Sequence, residues 1–153
     1  MELTLDCHYR ADYLVGDDSA NLKLTFLDVG DDRVIGHVQV FVPQADLLLR
    51  VPCEYSTSDI ADFVRDLEQV HATLSGTATL RTSTGALNFS ALDRGRIAVE
   101  FTQDGVRDIP NLITLFDFTL NARVGGLRTD QSYLPGMVAS LSALLHSIPP
   151  PYW

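Results

Sequence analysis

Ser58-Asp59-Ile60-Ala61-Asp62-Phe63-Val64-Arg65-Asp66-Leu67-Glu68-Gln69-Val70-His71-Ala72-Thr73-Leu74 is the stretch where the chain changes period. Ile60, Phe63, Val64, Leu67, Val70, His71 and Leu74 recur at i, i+3, i+4 and i+7 spacing, which gathers them on one stripe of a helix. Ser58 is a natural N-cap, Asp59 and Asp62 suit the positive end of the helix dipole, and Gly76 lies just past the C-terminus. On both sides of this helix the apolar residues alternate instead, so one helix separates two blocks of strands.

Upstream, Leu3, Leu5, Cys7 and Tyr9 share one face of a first strand, and the polar stretch Val15-Gly16-Asp17-Asp18-Ser19 follows it. A second strand runs from Leu22 to Val29 and turns at Gly30-Asp31-Asp32. A third, Arg33 to Val42, puts Val34, Val38, Val40 and Val42 in alternate positions. Pro43-Gln44-Ala45-Asp46 breaks it, and Leu47, Leu49, Val51, Cys53 and Tyr55 trace a fourth. Pro52 faces the other way and lacks a backbone donor, so this strand lies at a sheet edge or ends there.

Downstream, strands are predicted at Gly76 to Thr82, Ala86 to Ala91, Arg96 to Thr102 and Leu112 to Leu120, with an interruption at Gly125-Gly126. Helical spacing returns in Leu134, Met137, Val138, Leu141, Leu144, Leu145 and Ile148, with Thr129 or Asp130 as the cap. Pro135 is tolerated in the first turn, where no internal hydrogen bond is lost. Short loops between successive strands favour antiparallel pairing. The reading is an α+β fold: one antiparallel sheet of about eight strands carrying two amphipathic helices on one face, in the order ββββαββββα. The layout suggests a duplication, but the halves share no matching residues.

With 153 residues the chain has the usual size of one domain, about 100–150 residues, and a domain that long buries enough surface to need no staples. The reading is thus a single domain, 1–153, with a proline-rich tail at 149–153. Hydrophobic residues at 46% and charged residues at 20% are globular proportions and exclude disorder. No apolar run approaches the roughly 20 residues of a membrane helix. Met1-Glu2-Leu3-Thr4-Leu5-Asp6 carries acids where a signal peptide carries cations, which points to the cytoplasm.

The formal charge is −9 and Lys23 is the only lysine, so nucleic acid and anionic lipid are excluded as partners. A basic protein would instead be drawn in from a distance, although such acidity also serves solubility alone. Cys7 and Cys53 match no metal-ligand spacing, and both sit on apolar strand faces as small buried hydrophobes.

The sequence carries no recognisable catalytic pattern. The glycines fall in strand–strand turns without a phosphate-loop lysine. His8, His37, His71 and His146 are scattered and form no metal-binding spacing. No nucleophile elbow occurs, and the paired carboxylates Asp17-Asp18 and Asp31-Asp32 lie on solvated turns. No catalytic residue, metal or cofactor is therefore assigned. The tail Pro149-Pro150-Pro151-Tyr152-Trp153 either docks an aromatic groove elsewhere or lays its rings on its own domain, the second being the commoner outcome.

Two features remain. Asp59, Asp62 and Asp66 project from one flank of the first helix, beside its apolar stripe. The dipole accounts for the first two; Asp66 is beyond its reach and sits at i, i+4 from a like charge. They are the candidate partner contact, against the plainer reading of a solvated helix face. The second feature is Leu127-Arg128-Thr129-Asp130-Gln131-Ser132-Tyr133-Leu134. With the helix–strand order from Asp62 to Leu120, this stretch resembles the WapI-type immunity proteins of bacterial polymorphic toxin systems, in which a similar Thr-Asp-Gln-Ser/Thr-Tyr-Leu run opens the last helix. The likeness lies mainly in residues 57–146.

The resemblance implies a non-enzymatic inhibitor that occludes a cognate toxin domain, a basic one being the best match to this charge. Within the motif, Thr129 or Asp130 is expected to cap the helix and Tyr133 to staple it to the sheet, with Gln131 between them, a structural rather than a contact role. The rivals are a small-molecule-binding or enzymatic domain whose site is assembled by the fold, and a module that forms homo-oligomers through an exposed sheet edge.

Overall fold

A computed structural model describes residues 11–16, 21–29, 32–104 and 121–146. Its strands are β1 (Ala11–Gly16), β2 (Asn21–Val29), β3 (Arg33–Val42) and β4 (Leu47–Ser56), then helix α1 (Thr57–Thr73). After it come β5 (Thr77–Arg81), β6 (Gly85–Ala91), β7 (Arg96–Asp104), β8 (Asn121–Asp130) and helix α2 (Leu134–His146). The fold is α+β with antiparallel strands and two helices, and the expected order is met roughly. The strand expected at Leu3 to Tyr9, that at Leu112 to Leu120, Cys7, Ile148 and the tail lie outside the described residues. β1 instead takes up part of the stretch read as polar, and β8 runs through Gly125-Gly126.

The single sheet is corrected. The strands form two four-stranded antiparallel sheets, β1-β2-β3-β4 and β5-β6-β7-β8. The reason lies at the edge of β4. Glu54 gives its carbonyl to the Ser83 amide at 2.9 Å and its amide to the Ser83 hydroxyl at 3.2 Å, so both its main-chain groups point away from β3. Backbone groups of an antiparallel strand alternate sides, so Pro52, two residues earlier, also points outward. Proline costs β4 no bond to β3 there, and it removes the donor a fifth strand would use.

The alternation read from sequence appears as burial. Val34, Val38 and Val40 of β3 and Val51, Cys53 and Tyr55 of β4 are buried, while Arg33, Ile35, Pro52 and Leu48 are exposed. In the second sheet Ala78, Leu80, Leu87, Phe89, Ile97, Val99 and Phe101 turn inward. Both sheets and both helices contribute to one continuous apolar cluster. α1 packs on β4, β5, β6 and α2, and Phe63 meets Phe89 edge-on at 5.6 Å between ring centroids. Burying a side chain such as Leu67 or Phe63 stabilises by about 1.5–3 kcal/mol.

The helix ends need two corrections. Ser56, not Ser58, is the N-cap of α1: its hydroxyl accepts the Asp59 amide at 3.0 Å from an extended backbone. Leu74 closes the helix in the left-handed conformation, its amide reaching the Val70 carbonyl at 2.8 Å. His71 and Leu74 are therefore exposed, and the buried stripe stops at Val70.

The Gly125-Gly126 pair is a β-bulge, not a break. Val99 pairs with Leu127 and Phe101 with Val124, so two glycines face Glu100 alone.

Candidate functional site

Asp59, Asp62 and Asp66 lie at i, i+3 and i+7 on α1 and so share one flank. Their surroundings differ. Asp59 stands in the first turn, half-buried, its amide held by the Ser56 cap. Asp62 is exposed and accepts from the Arg65 guanidinium at 2.6 Å, an ion pair the charge pattern alone did not place. Asp66 is half-buried and lines a groove of about 290 Å³ with Gln69, Thr73, Ser75 and Thr77, where α1 runs into β5. The flank is thus acidic with one guanidinium set into it.

The stretch before α2 is held by its own backbone. The Asp130 carboxylate accepts the Ser132 amide at 2.8 Å and caps the short 3-10 helix Gln131–Tyr133 that leads into α2. The Ser132 amide, and then its hydroxyl, hold Asp130 below the usual carboxylate range. Thr129 is half-buried on β8, opposite Ile97. Gln131 lies across the turn at Asp93–Gly95, so that a Cβ on Gly95 would meet its side chain at 3.0 Å. Leu134 is fully buried. Tyr133 departs from expectation: it is 68% exposed and staples nothing, because the 3-10 turn directs Leu134 inward and its neighbour out. The motif and the α1 flank sit on different elements, and neither touches the other in a common cleft among the described residues.

A second groove of about 290 Å³ runs between the helices, lined by Glu68 and His71 of α1 and Pro135, Val138 and Ala139 of α2. Among the described residues no group of three or more His, Cys, Asp or Glu could hold a metal ion. No helix among them is long and apolar enough to cross a membrane.

The buried ionisable groups serve the core. Burial pushes the Cys53 thiol up from 9.0 to about 12, against a smaller lowering by Tyr55. Burial and then Cys53 hold the Tyr55 hydroxyl well above 10.0. Among the described residues that hydroxyl has no hydrogen bond of ordinary geometry, and the ring packs on Phe26 at 4.9 Å. A thiol held neutral in this way is no nucleophile at neutral pH.

Sequence reasoning missed the tip of the β3–β4 hairpin. Leu48 is 61% exposed, Leu47 45% and Phe41, paired with Leu48, 38%. The signal was present in Leu47-Leu48-Leu49: three apolar residues in a row on an alternating strand force one onto the outer face.

The chain matches the model of the immunity protein WapI-like family over residues 13–149. It belongs to that family. The comparisons with curated proteins and with solved structures give no match.

Proposed function

We propose that this chain is a cytoplasmic inhibitor that binds a bacterial toxin domain and neutralises it by occupying its working surface. Membership of the immunity protein WapI-like family, matched over residues 13–149, carries the reading. The charge of −9 supports a basic partner, since an acidic protein draws one in and can present carboxylates where the toxin binds phosphates. Asp59, Asp62 and Asp66 form the steering contact: one rigid helix, α1, holds all three. The Thr129–Tyr133 stretch supports the scaffold through the Asp130 cap.

The test is protection. A toxin domain encoded beside this chain's gene is expressed with and without the chain, and growth is followed. Restored growth with no chemical change in the toxin domain is expected. Continued killing, with both proteins present as soluble material, overturns the proposal. Protection by a chain that turns over a small molecule would instead favour an enzymatic antidote.

A further inference from the structure

β4 is the edge of the first sheet, and only part of that edge is closed. At its C-terminal half Ser83 takes both main-chain groups of Glu54, and Pro52 offers no donor. By the same alternation the amides and carbonyls of Leu48 and Arg50 point outward, whereas those of Leu49 and Val51 face β3. Among the described residues nothing pairs with Leu48 or Arg50 on that side. The open half is also the apolar half: Leu47, Leu48 and Phe41 stand exposed around it. Natural sheets blunt such edges with prolines, charges or covering turns, and here those devices stop short of Leu48.

We infer that the Leu47–Arg50 edge of β4 docks an extended strand of the toxin domain, which adds to the first sheet beside β4; this rests on the neutralising role proposed above. Unpaired amides and carbonyls in alternation are matched by another extended backbone and by little else. A second copy of this chain fits poorly. Each copy carries −9, and a two-fold pairing centred on Arg50 sets guanidinium against guanidinium. Leu48 and Arg50 share the outer face, and Arg50 makes no ion pair among the described residues. The incoming strand therefore carries an apolar residue opposite Leu48 and, two positions away, an acid opposite Arg50. Pro52 and Ser83 limit its pairing to roughly four residues.

Amide hydrogen exchange on the full chain tests this, alone and with a catalytically inactivated toxin domain encoded beside it. Leu48 and Arg50 amides should exchange fast in the free chain and slow by about tenfold or more on binding. Leu49 and Val51 should be slow in both. Arg50→Pro removes an outward donor, as Pro52 already does, and should weaken binding by about tenfold or more, with Arg50→Ala milder. If the toxin domain binds while Leu48 and Arg50 still exchange freely, the edge is not the dock, and the neutralising role stands. Absence of any binding overturns that role and this inference together. Protection that rises with the concentration of the chain alone assigns the edge to a second copy and overturns the inference. Should Arg50→Pro fail to fold, Leu48→Lys, exposed and free of any ladder bond, reads the same loss.

Discussion

Ser83 grips Glu54 at both ends of one residue, accepting its amide at 3.2 Å and donating to its carbonyl at 2.9 Å. This pair ties the edge of the first sheet to the β5–β6 turn of the second. Ser83→Ala removes the hydroxyl bond and leaves the amide bond. At so exposed a site the loss should be near the low end of the ~0.5–1.5 kcal/mol range for one hydrogen bond. A urea unfolding midpoint equal to that of the unsubstituted chain would show that water replaces the hydroxyl without cost.

The two serines at the start of α1 separate cleanly. Ser56→Ala should cost about 0.5–2 kcal/mol, the range for losing an N-cap, because its hydroxyl accepts the Asp59 amide. Ser58→Ala should cost little, since Ser58 is exposed inside the first turn and its hydroxyl meets that of Ser56 at 3.2 Å. Thermal denaturation of the two variants decides the assignment; a larger loss at Ser58 reverses it.

This pair also shows what was legible in advance. Side-chain period located β3, β4, α1 and the body of α2, because burial depends on which face a residue takes. It could not choose between two serines two residues apart, since the choice depends on the backbone angle at which β4 hands over to the helix. Nor could it divide eight strands into two sheets. That division turns on main-chain groups, and the Glu54–Ser83 bond spans 29 residues of sequence. The acidic flank was visible as spacing, but the Arg65 pairing and the half-burial of Asp59 and Asp66 depend on neighbours that no local pattern names.

Alkali should unfold the chain in part through Cys53. Its thiol titrates at about 12 folded against 9.0 unperturbed, so below 9 both states hold the proton and no difference arises. Between those values the unfolded state releases its proton first. The stability from keeping the thiol neutral is present below 9 and falls as pH rises through that window, with a slope of about 1.4 kcal/mol per pH unit for this one group. Urea midpoints of the chain and of Cys53→Ala, measured at pH 8 and pH 10.5, should diverge in slope. Parallel losses would show that Tyr55 or another group governs the alkaline limb.

Gly36 of β3 lies opposite Phe26 of β2. A Cβ on Gly36 would collide with the Thr25 carbonyl, a backbone atom that cannot swing aside. The neighbouring register shift between Phe26 and Asp28 leaves the strand little freedom to retreat. Gly36→Ala should therefore be among the costly single changes, above about 3 kcal/mol. Gly76→Ala meets open space and strains only a backbone at φ +87°, for about 1–2 kcal/mol. Comparable unfolding midpoints for the two variants would show that the sheet relaxes around residue 36.

The acidic flank makes a prediction with two opposite arms. Changing Asp59, Asp62 and Asp66 together to Asn raises the local charge by three, and Arg65→Gln lowers it by one. Long-range steering responds to net charge, so the first should slow association with a cognate basic toxin domain and the second should speed it. Both effects should shrink as salt rises, since the screening length is about 8 Å at physiological ionic strength. The fold should tolerate these changes. The Asp62–Arg65 pair is largely exposed, so its loss costs about 0–1 kcal/mol. Asp59 gives up a dipole contribution of about 0.3–1 kcal/mol. The measurement is association rate against ionic strength for the chain and both variants. Opposite shifts from the two variants, converging at high salt, place α1 in the encounter surface. Rates that stay equal across all three remove it, and leave the partner to meet the chain elsewhere.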